Sequence, residues 1–196
     1  MTRFAKIERT TSETQISLSL NIDEAGRGKI STGSGFLDHM LDLFQVHGGF
    51  TLNVDCQGDT WIDMHHSAED IAISLGQALA ECLKDKKGIE RYGFYLLPMD
   101  EALVRVALDF SGRFFIEFHA DMKQERIGNL DTQLVKHFFY SLAENAKLNL
   151  HIDCIRGENT HHIIEGIFKA FARSVAMAAS PGRTKGIPSS KGMIAE

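Results

Sequence analysis

The sequence has little of what marks several protein classes. Its three cysteines, Cys56, Cys82 and Cys154, form no C-x-x-C pair, and an odd count suits reduced thiols in a cytoplasm better than a disulfide framework. Only three prolines interrupt the chain, two of them (Pro181 and Pro188) in the tail, so no proline-rich linker divides it. No apolar run exceeds the five residues Val175–Ala179, too short for a membrane-spanning helix. Residues 1–10 carry Arg3, Lys6, Glu8 and Arg9 and lack an apolar signal core. A basic excess is missing as well: 21 Lys and Arg against 26 Asp and Glu leave a net charge of −5, which argues against a nucleic-acid partner. What remains is 196 residues, 43% of them hydrophobic and 24% charged, with nine histidines unevenly placed. A chain of this length buries roughly 70% of its unfolded surface and needs no covalent staple.

An internal repeat organises the chain. Leu52-Asn53-Val54-Asp55-Cys56 answers to Leu150-His151-Ile152-Asp153-Cys154, and at the same offset His39 answers to His137. His65-His66-Ser67-Ala68-Glu69 answers to His161-His162-Ile163-Ile164-Glu165, with a two-residue deletion between the Asp-Cys and His-His elements. Three elements matched in the same order point to a duplicated half of about 1–92 and 93–180, within a single catalytic domain 1–196 that ends in a tail 181–196.

Both halves carry the same periodicities. Alternation at Ile16, Leu18, Leu20 and Ile22, and at Val104, Val106, Leu108 and Phe110, predicts half-buried strands. Phe114, Ile116 and Phe118 alternate too, after a Ser111-Gly112 turn. Helical spacing follows at Phe36–Phe44 and Leu134–Leu142, and a second helix begins at each His-His pair. Strands and helices interleave without regular βαβ alternation. The expected fold is α+β: two duplicated half-domains, each a β-sheet with helices on one face, packed with the helices between the sheets.

The duplicated H-H-x-x-E units carry the chemistry. For one histidine a capping or core role is the ordinary expectation, but duplication with an upstream histidine in each half favours ligands. Neighbours on a helix project about 100° apart, so an adjacent pair chelates one ion poorly and bridges two well. Imidazole and carboxylate donors without cysteine suit Mn, Fe, Co, Ni or Zn rather than Ca or Mg. Glu69 can stand beside His66 (i, i+3) or His65 (i, i+4). Pseudo-symmetry favours His39, His66, Glu69 and His161 on one ion, and His137, His162, Glu165 and His65 on the other. His47, His119 and His151 lack repeat support.

Longer strings carry a family resemblance: Gly33-Ser34-Gly35-Phe36-Leu37-Asp38-His39-Met40, Asp63-Met64-His65-His66-Ser67-Ala68-Glu69-Asp70, Pro98-Met99-Asp100-Glu101-Ala102, Asn159-Thr160-His161-His162 and Pro188-Ser189-Ser190-Lys191-Gly192. The chain resembles the imidazoleglycerol-phosphate dehydratase family, in its single-activity form, over nearly its whole length. Ser190 stands where threonine is expected and keeps the hydroxyl. The resemblance implies two Mn(II) ions per active site and a homo-oligomer, a 24-subunit shell of trimers with shared active sites in the cytoplasm. It implies dehydration of imidazole glycerol phosphate to imidazole acetol phosphate in L-histidine biosynthesis. The partner is thus a small phosphorylated imidazole, with neither nucleic acid nor membrane.

The carbon that loses its proton has no carbonyl beside it, so the substrate's own imidazole must be the electron sink. A metal-bound imidazolate passing through a diazafulvene-like intermediate meets that need, with the metals as Lewis acids and template. Glu13 matches the family's acid/base position. Arg91, Arg113, Lys191 and Ser189 match its phosphate-binding positions. Gln45 and His47 fall in the segment that lines the pocket. The substrate-contacting set also takes in His39, His65, Glu69 and His161. Two other classes compete: a hydrolase with a bridged metal pair, and a ferritin-like metal-storage bundle whose helices carry Glu and His at i, i+3.

Overall fold

A computed structural model describes the chain except for Met1, Thr184, Lys191, Met193, Ala195 and Glu196. The first half runs β1 (Phe4–Thr10), β2 (Thr14–Asn21), β3 (Ile30–Ser31), α1 (Gly35–Gly48), β4 (Thr51–Gly58) and α2 (His65–Leu83). The second runs β5 (Tyr92–Met99), β6 (Ala102–Asp109), β7 (Phe115–His119), a small hairpin of β8 (Arg126–Ile127) and β9 (Leu130–Asp131), α3 (Gln133–Ala146), β10 (Asn149–Arg156) and α4 (Thr160–Ala179).

Both four-stranded sheets have one topology. Their orders are β1-β2-β4-β3 and β5-β6-β10-β7, and in each the third strand lies parallel to the strand that follows the first helix. The inserted hairpin is the only strand pair of the second half without a counterpart among the described residues.

Alternation builds the sheets. Ile16, Leu18 and Leu20 of β2 and Leu52, Val54 and Cys56 of β4 are buried on one face. Val104, Val106 and Leu108 of β6, with Leu150 and Ile152 of β10, repeat the pattern. These faces meet the helices. α2 packs on β1 and β2, and α4 packs on β5 and β6. Across the middle α1 lies against α4 and α3 against α2, so the four helices form one layer between two sheets, as expected. Sheets on both sides exclude the ferritin-like bundle.

Gly76 lets α2 and α3 approach: a Cβ there would stand 2.5 Å from the Leu142 carbonyl oxygen. Around this contact Phe138, Phe139, Phe168 and Phe171 interlock, with Phe139 fully buried. No helix among the described residues is long and apolar enough to cross a membrane.

Candidate metal centre

Both His-His pairs open helices. The Asp63 Oδ1 accepts the His65 backbone N–H at 2.7 Å, and the N-cap Asn159 accepts that of His161 at 2.9 Å. The pairs therefore stand at the mouths of α2 and α4, where α3 and α1 bring the upstream histidines.

Two three-residue clusters result, each with its ligand atoms within 4.8 Å of one another. One joins His39 of α1 to His161 and Glu165 of α4. His161 Nε2 lies 3.2 Å and His39 Nε2 3.5 Å from Glu165 Oε2. The other joins His137 of α3 to His65 and Glu69 of α2. His137 Nε2 lies 3.1 Å from Glu69 Oε1, and the His65 and His137 rings are 4.8 Å apart. Under the repeat the clusters exchange: His39 with His137, His161 with His65, Glu165 with Glu69. His137 Nε2 is shielded from solvent and, although it faces Glu69 Oε1, makes no well-aligned hydrogen bond among the described residues. A shielded imidazole nitrogen facing a carboxylate without a formed hydrogen bond fits a site for a transition-metal cation.

The clusters differ from the expected division of ligands in two respects. Glu69 stands with His65, and Glu165 with His161: on both helices the i, i+4 relation prevails over i, i+3. His66 and His162 join neither cluster, because other carboxylates take their rings. The two rings of each pair are nearly perpendicular, at 76° and 84°. His66 Nδ1 lies 2.9 Å from Asp59 Oδ2, with Glu13 Oε1 3.7 Å from its Nε2. His162 Nδ1 lies 2.7 Å from Glu101 Oε2, with Asp100 3.9 Å from its Nε2. The bond to Asp59 raises the His66 pKa, and the bond to Glu101 raises that of His162. Glu101 in turn is pushed down to about 2, first by His162 and then by the Asn159 backbone N–H.

The remaining candidates scatter. Gln45 is buried in the chain. It is 1% exposed, its oxygen accepts from the Gly28 and Leu52 backbone N–H groups, and its NH2 donates to Asp42 at 2.8 Å. A buried amide so committed holds the β2–β3 connection to β4. His47 is half-buried at the end of α1, its pKa lowered by burial and by the charges of Lys169 and Arg173. Arg91 makes a two-pronged bond to Asp109 at 2.6 and 3.0 Å and donates to the Pro188 carbonyl at 2.9 Å, beside Ser189. Arg113 is exposed in the turn before β7, and Lys191 lies outside the described residues. His119 is exposed beside Glu117, and His151 lies against Phe115 on the outer face of its sheet.

Comparison with known proteins settles the family. Residues 32–175 match the family described as imidazoleglycerol-phosphate dehydratase. The dehydratase of Staphylococcus carnosus is 52% identical over 95% of this chain and 97% of its own. That of Halalkalibacterium halodurans is 53% identical over 98% and 100%. The chain belongs to the imidazoleglycerol-phosphate dehydratase family. The crystal structure of the dehydratase from Staphylococcus aureus superposes with a TM-score of 0.83 at 47% identity, covering 91% of this chain and 99% of that one. The Pyrococcus furiosus enzyme, solved in complex with (S)-C348, gives 0.82 at 32% identity. Members of this family are hydro-lyases of histidine biosynthesis.

Within that family frame, three residues of the site escaped the sequence reading. Lys169 pairs with Glu165 Oε1 at 2.6 Å. Burial raises the Glu165 pKa, but Lys169, His161 and His39 together outweigh it and leave the carboxyl below its usual range. The i, i+4 spacing of Glu165 and Lys169 was legible. The roles of Asp59 and Glu101, brought in from a loop and from the β5–β6 turn, were not.

Proposed function

We propose that this chain dehydrates imidazole glycerol phosphate to imidazole acetol phosphate with two Mn(II) ions, in the cytoplasm, where Cys56, Cys82 and Cys154 stay unpaired. The observation that carries the reading is the pair of clusters that exchange under the repeat, with Glu13 beside His66, the chain neighbour of one cluster's His65. His39, His161 and Glu165 would hold one ion, His65, Glu69 and His137 the other, with His66 and His162 as further ligands. Bound there, the ions would supply Lewis acidity and a template for the substrate's imidazole.

The protein's own part is proton transfer and positioning. Glu13 removes the carbon-bound proton, while the C–O bond to the neighbouring hydroxyl breaks with its electron pair and the hydroxyl leaves as water. The enol left behind becomes the ketone on taking a proton at carbon. Arg91, Arg113, Ser189 and Lys191 hold the phosphate.

One chain does not bring these parts together. Arg91 and Arg113 flank the Tyr92–Asp109 end of the β5–β6 ladder, whereas Glu101 and His162 stand at its Met99–Ala102 end. Eight residues at ~3.3 Å each separate the two ends by roughly 25 Å. A small substrate spans that gap only if another copy supplies the phosphate-binding residues. His66 and His162, outside the clusters of their own chain, fit the same arrangement. This supports the homo-oligomer with shared active sites, a shell of 24 built from trimers. The outer face of the second sheet supports it too, for Phe94, Leu96 and Ile155 are exposed there.

The test is turnover of imidazole glycerol phosphate by chelator-treated protein with and without Mn(II). Turnover restored by metal, without inorganic phosphate release, supports the dehydratase. Phosphate release in place of the ketone would identify the hydrolase instead.

A further inference from the structure

We propose that Glu101 and Asp59 are positioning residues that keep the ring protons of His162 and His66 on Nδ1 and leave each Nε2 as a lone-pair donor. The inference rests on the metal-dependent reading above.

Strand register exposes the relation. Ile16 lies opposite Cys56, and Val104 lies opposite Cys154. Because Cys56 and Cys154 correspond in the repeat, so do Ile16 and Val104, and three positions earlier so do Glu13 and Glu101. Each of these glutamates stands before the second strand of its sheet and beside the second histidine of its half. Their tasks differ. Glu13 lies 3.7 Å from His66 Nε2, because Asp59 already holds Nδ1 at 2.9 Å. In the other half Glu101 holds His162 Nδ1 itself, at 2.7 Å.

A carboxylate accepts hydrogen bonds and cannot donate them, so the ring nitrogen facing it carries the proton. The other nitrogen is then free to ligate, the arrangement seen when a carboxylate orients a metal-binding histidine. The two carboxylates are anchored differently. Glu101 Oε1 accepts the backbone N–H groups of Glu158 and Asn159 at 3.2 and 2.8 Å, so only Oε2 is left for the ring. Asp59 Oδ1 is buried with no partner among the described residues.

That contrast makes two isosteric changes behave oppositely. In Glu101→Gln the two backbone N–H groups keep the amide oxygen, so the amide NH2 faces Nδ1 and can only donate. The ring proton is driven to Nε2, as when an amide replaces the orienting carboxylate of a catalytic histidine. In Asp59→Asn nothing anchors the second oxygen, and the amide turns its oxygen toward His66.

The experiment uses 15N-histidine-labelled full-length protein, metal-free, with ring tautomers read by magic-angle-spinning NMR and assigned with His162→Gln and His66→Gln. Both histidines carry the proton on Nδ1 in the native protein; Glu101→Gln switches His162 and Asp59→Asn switches neither. Mn(II) affinity by equilibrium dialysis falls roughly 10- to 100-fold in Glu101→Gln and only a few-fold in Asp59→Asn. A native protein with the protons on Nε2 overturns the assignment whether or not the variants fold, and leaves the metal reading standing. Unchanged Mn(II) affinity in a folded Glu101→Gln overturns it as well. A native protein with these tautomers that binds no Mn(II) sinks the metal reading, and with it the purpose given to the tautomers.

Discussion

The two halves of the molecule share a strand order, a helix layer and a mirrored set of three ligands, yet their surroundings differ. The outer face of the first sheet is mostly polar, with Lys6, Glu8, Ser17, Ser19, Asn53 and Asp55 beside one exposed aromatic, Phe4. That of the second presents Phe94, Leu96, Phe115 and Ile155, exposed by between 47 and 64%. Each half sets one carboxylate near either nitrogen of its outlying histidine. The first gives Nδ1 to Asp59 and leaves its strand-start Glu13 3.7 Å from Nε2. The second commits its strand-start Glu101 to Nδ1 and leaves Asp100 3.9 Å from Nε2. Duplication thus gives two equivalent clusters of candidate ligands, and on the proposed function divergence concentrated proton transfer in the first half. Glu101 is tied to His162 and to two backbone N–H groups, whereas Glu13 stands 3.7 Å from its histidine, which leaves it freer for the acid/base role proposed for it.

The largest effect tests that asymmetry. Glu13→Gln should lower kcat by roughly 100- to 10,000-fold while metal content by elemental analysis stays at the native level. Glu101→Gln should instead lose metal and activity together. Equal losses of kcat at full metal loading in both variants would make the halves functional twins and remove the special role of Glu13.

How far the sequence could be read follows from the same contrast. The ligand helices were legible because H-H-x-x-E occurs twice and each copy sits at an apolar helical stripe. β2 and β6 were legible because their buried positions alternate cleanly. β1 and β5 were not: β1 buries only Ala5, and β5 buries Gly93 and Leu97 while exposing Phe94 and Leu96. An apolar outer face erases the period on which strand reading depends. Six of the eight candidate ligands come together in two clusters, but i, i+3 and i, i+4 are equally near on a helix, so the partner of Glu69 needed coordinates. The structural bonds of Gln45 were not legible, because the Gly28 and Leu52 backbone groups it satisfies are brought to it only by the fold.

A middling effect probes the helix layer. The repeat places Ala172 of α4 where α2 has Gly76, so one helix carries a buried Cβ at the position the other leaves bare. Helix propensity alone makes Gly76→Ala favourable by about 1 kcal/mol. Contact with the Leu142 carbonyl and the Asn145 side chain reverses the sign. A net loss of about 1–3 kcal/mol is expected in urea unfolding, with unchanged m-value. A stabilised Gly76→Ala would show that α2 and α3 separate as readily as their counterparts.

The smallest effect concerns two arginines that the strand registers also pair. Ala5 lies opposite Leu20 and Gly93 opposite Leu108, so Arg3 and Arg91 correspond. Each ties a strand start to an aspartate: Arg3 to Asp23 at 2.6 Å, Arg91 to Asp109 at 2.6 Å. The Arg3 hydrogen bond holds the Asp23 pKa below its ordinary value, against a smaller opposing push from burial. With the folded pKa depressed, the unfolded chain takes up its proton first as pH falls. The stabilisation is therefore present in full above about pH 4 and is lost as pH drops through the folded value. Asp23 is about 30% exposed, so solvent screening keeps the contribution below about 1 kcal/mol. Arg3→Gln should flatten the stability profile below pH 4 by that amount, and added salt should shrink the difference further. Arg3 also donates to the Ala179 carbonyl and Arg91 to the Pro188 carbonyl, but the Arg91 pair is less exposed and should lose more on the same change. Equal losses in Arg3→Gln and Arg91→Gln would mean that the deeper burial of the second pair adds nothing.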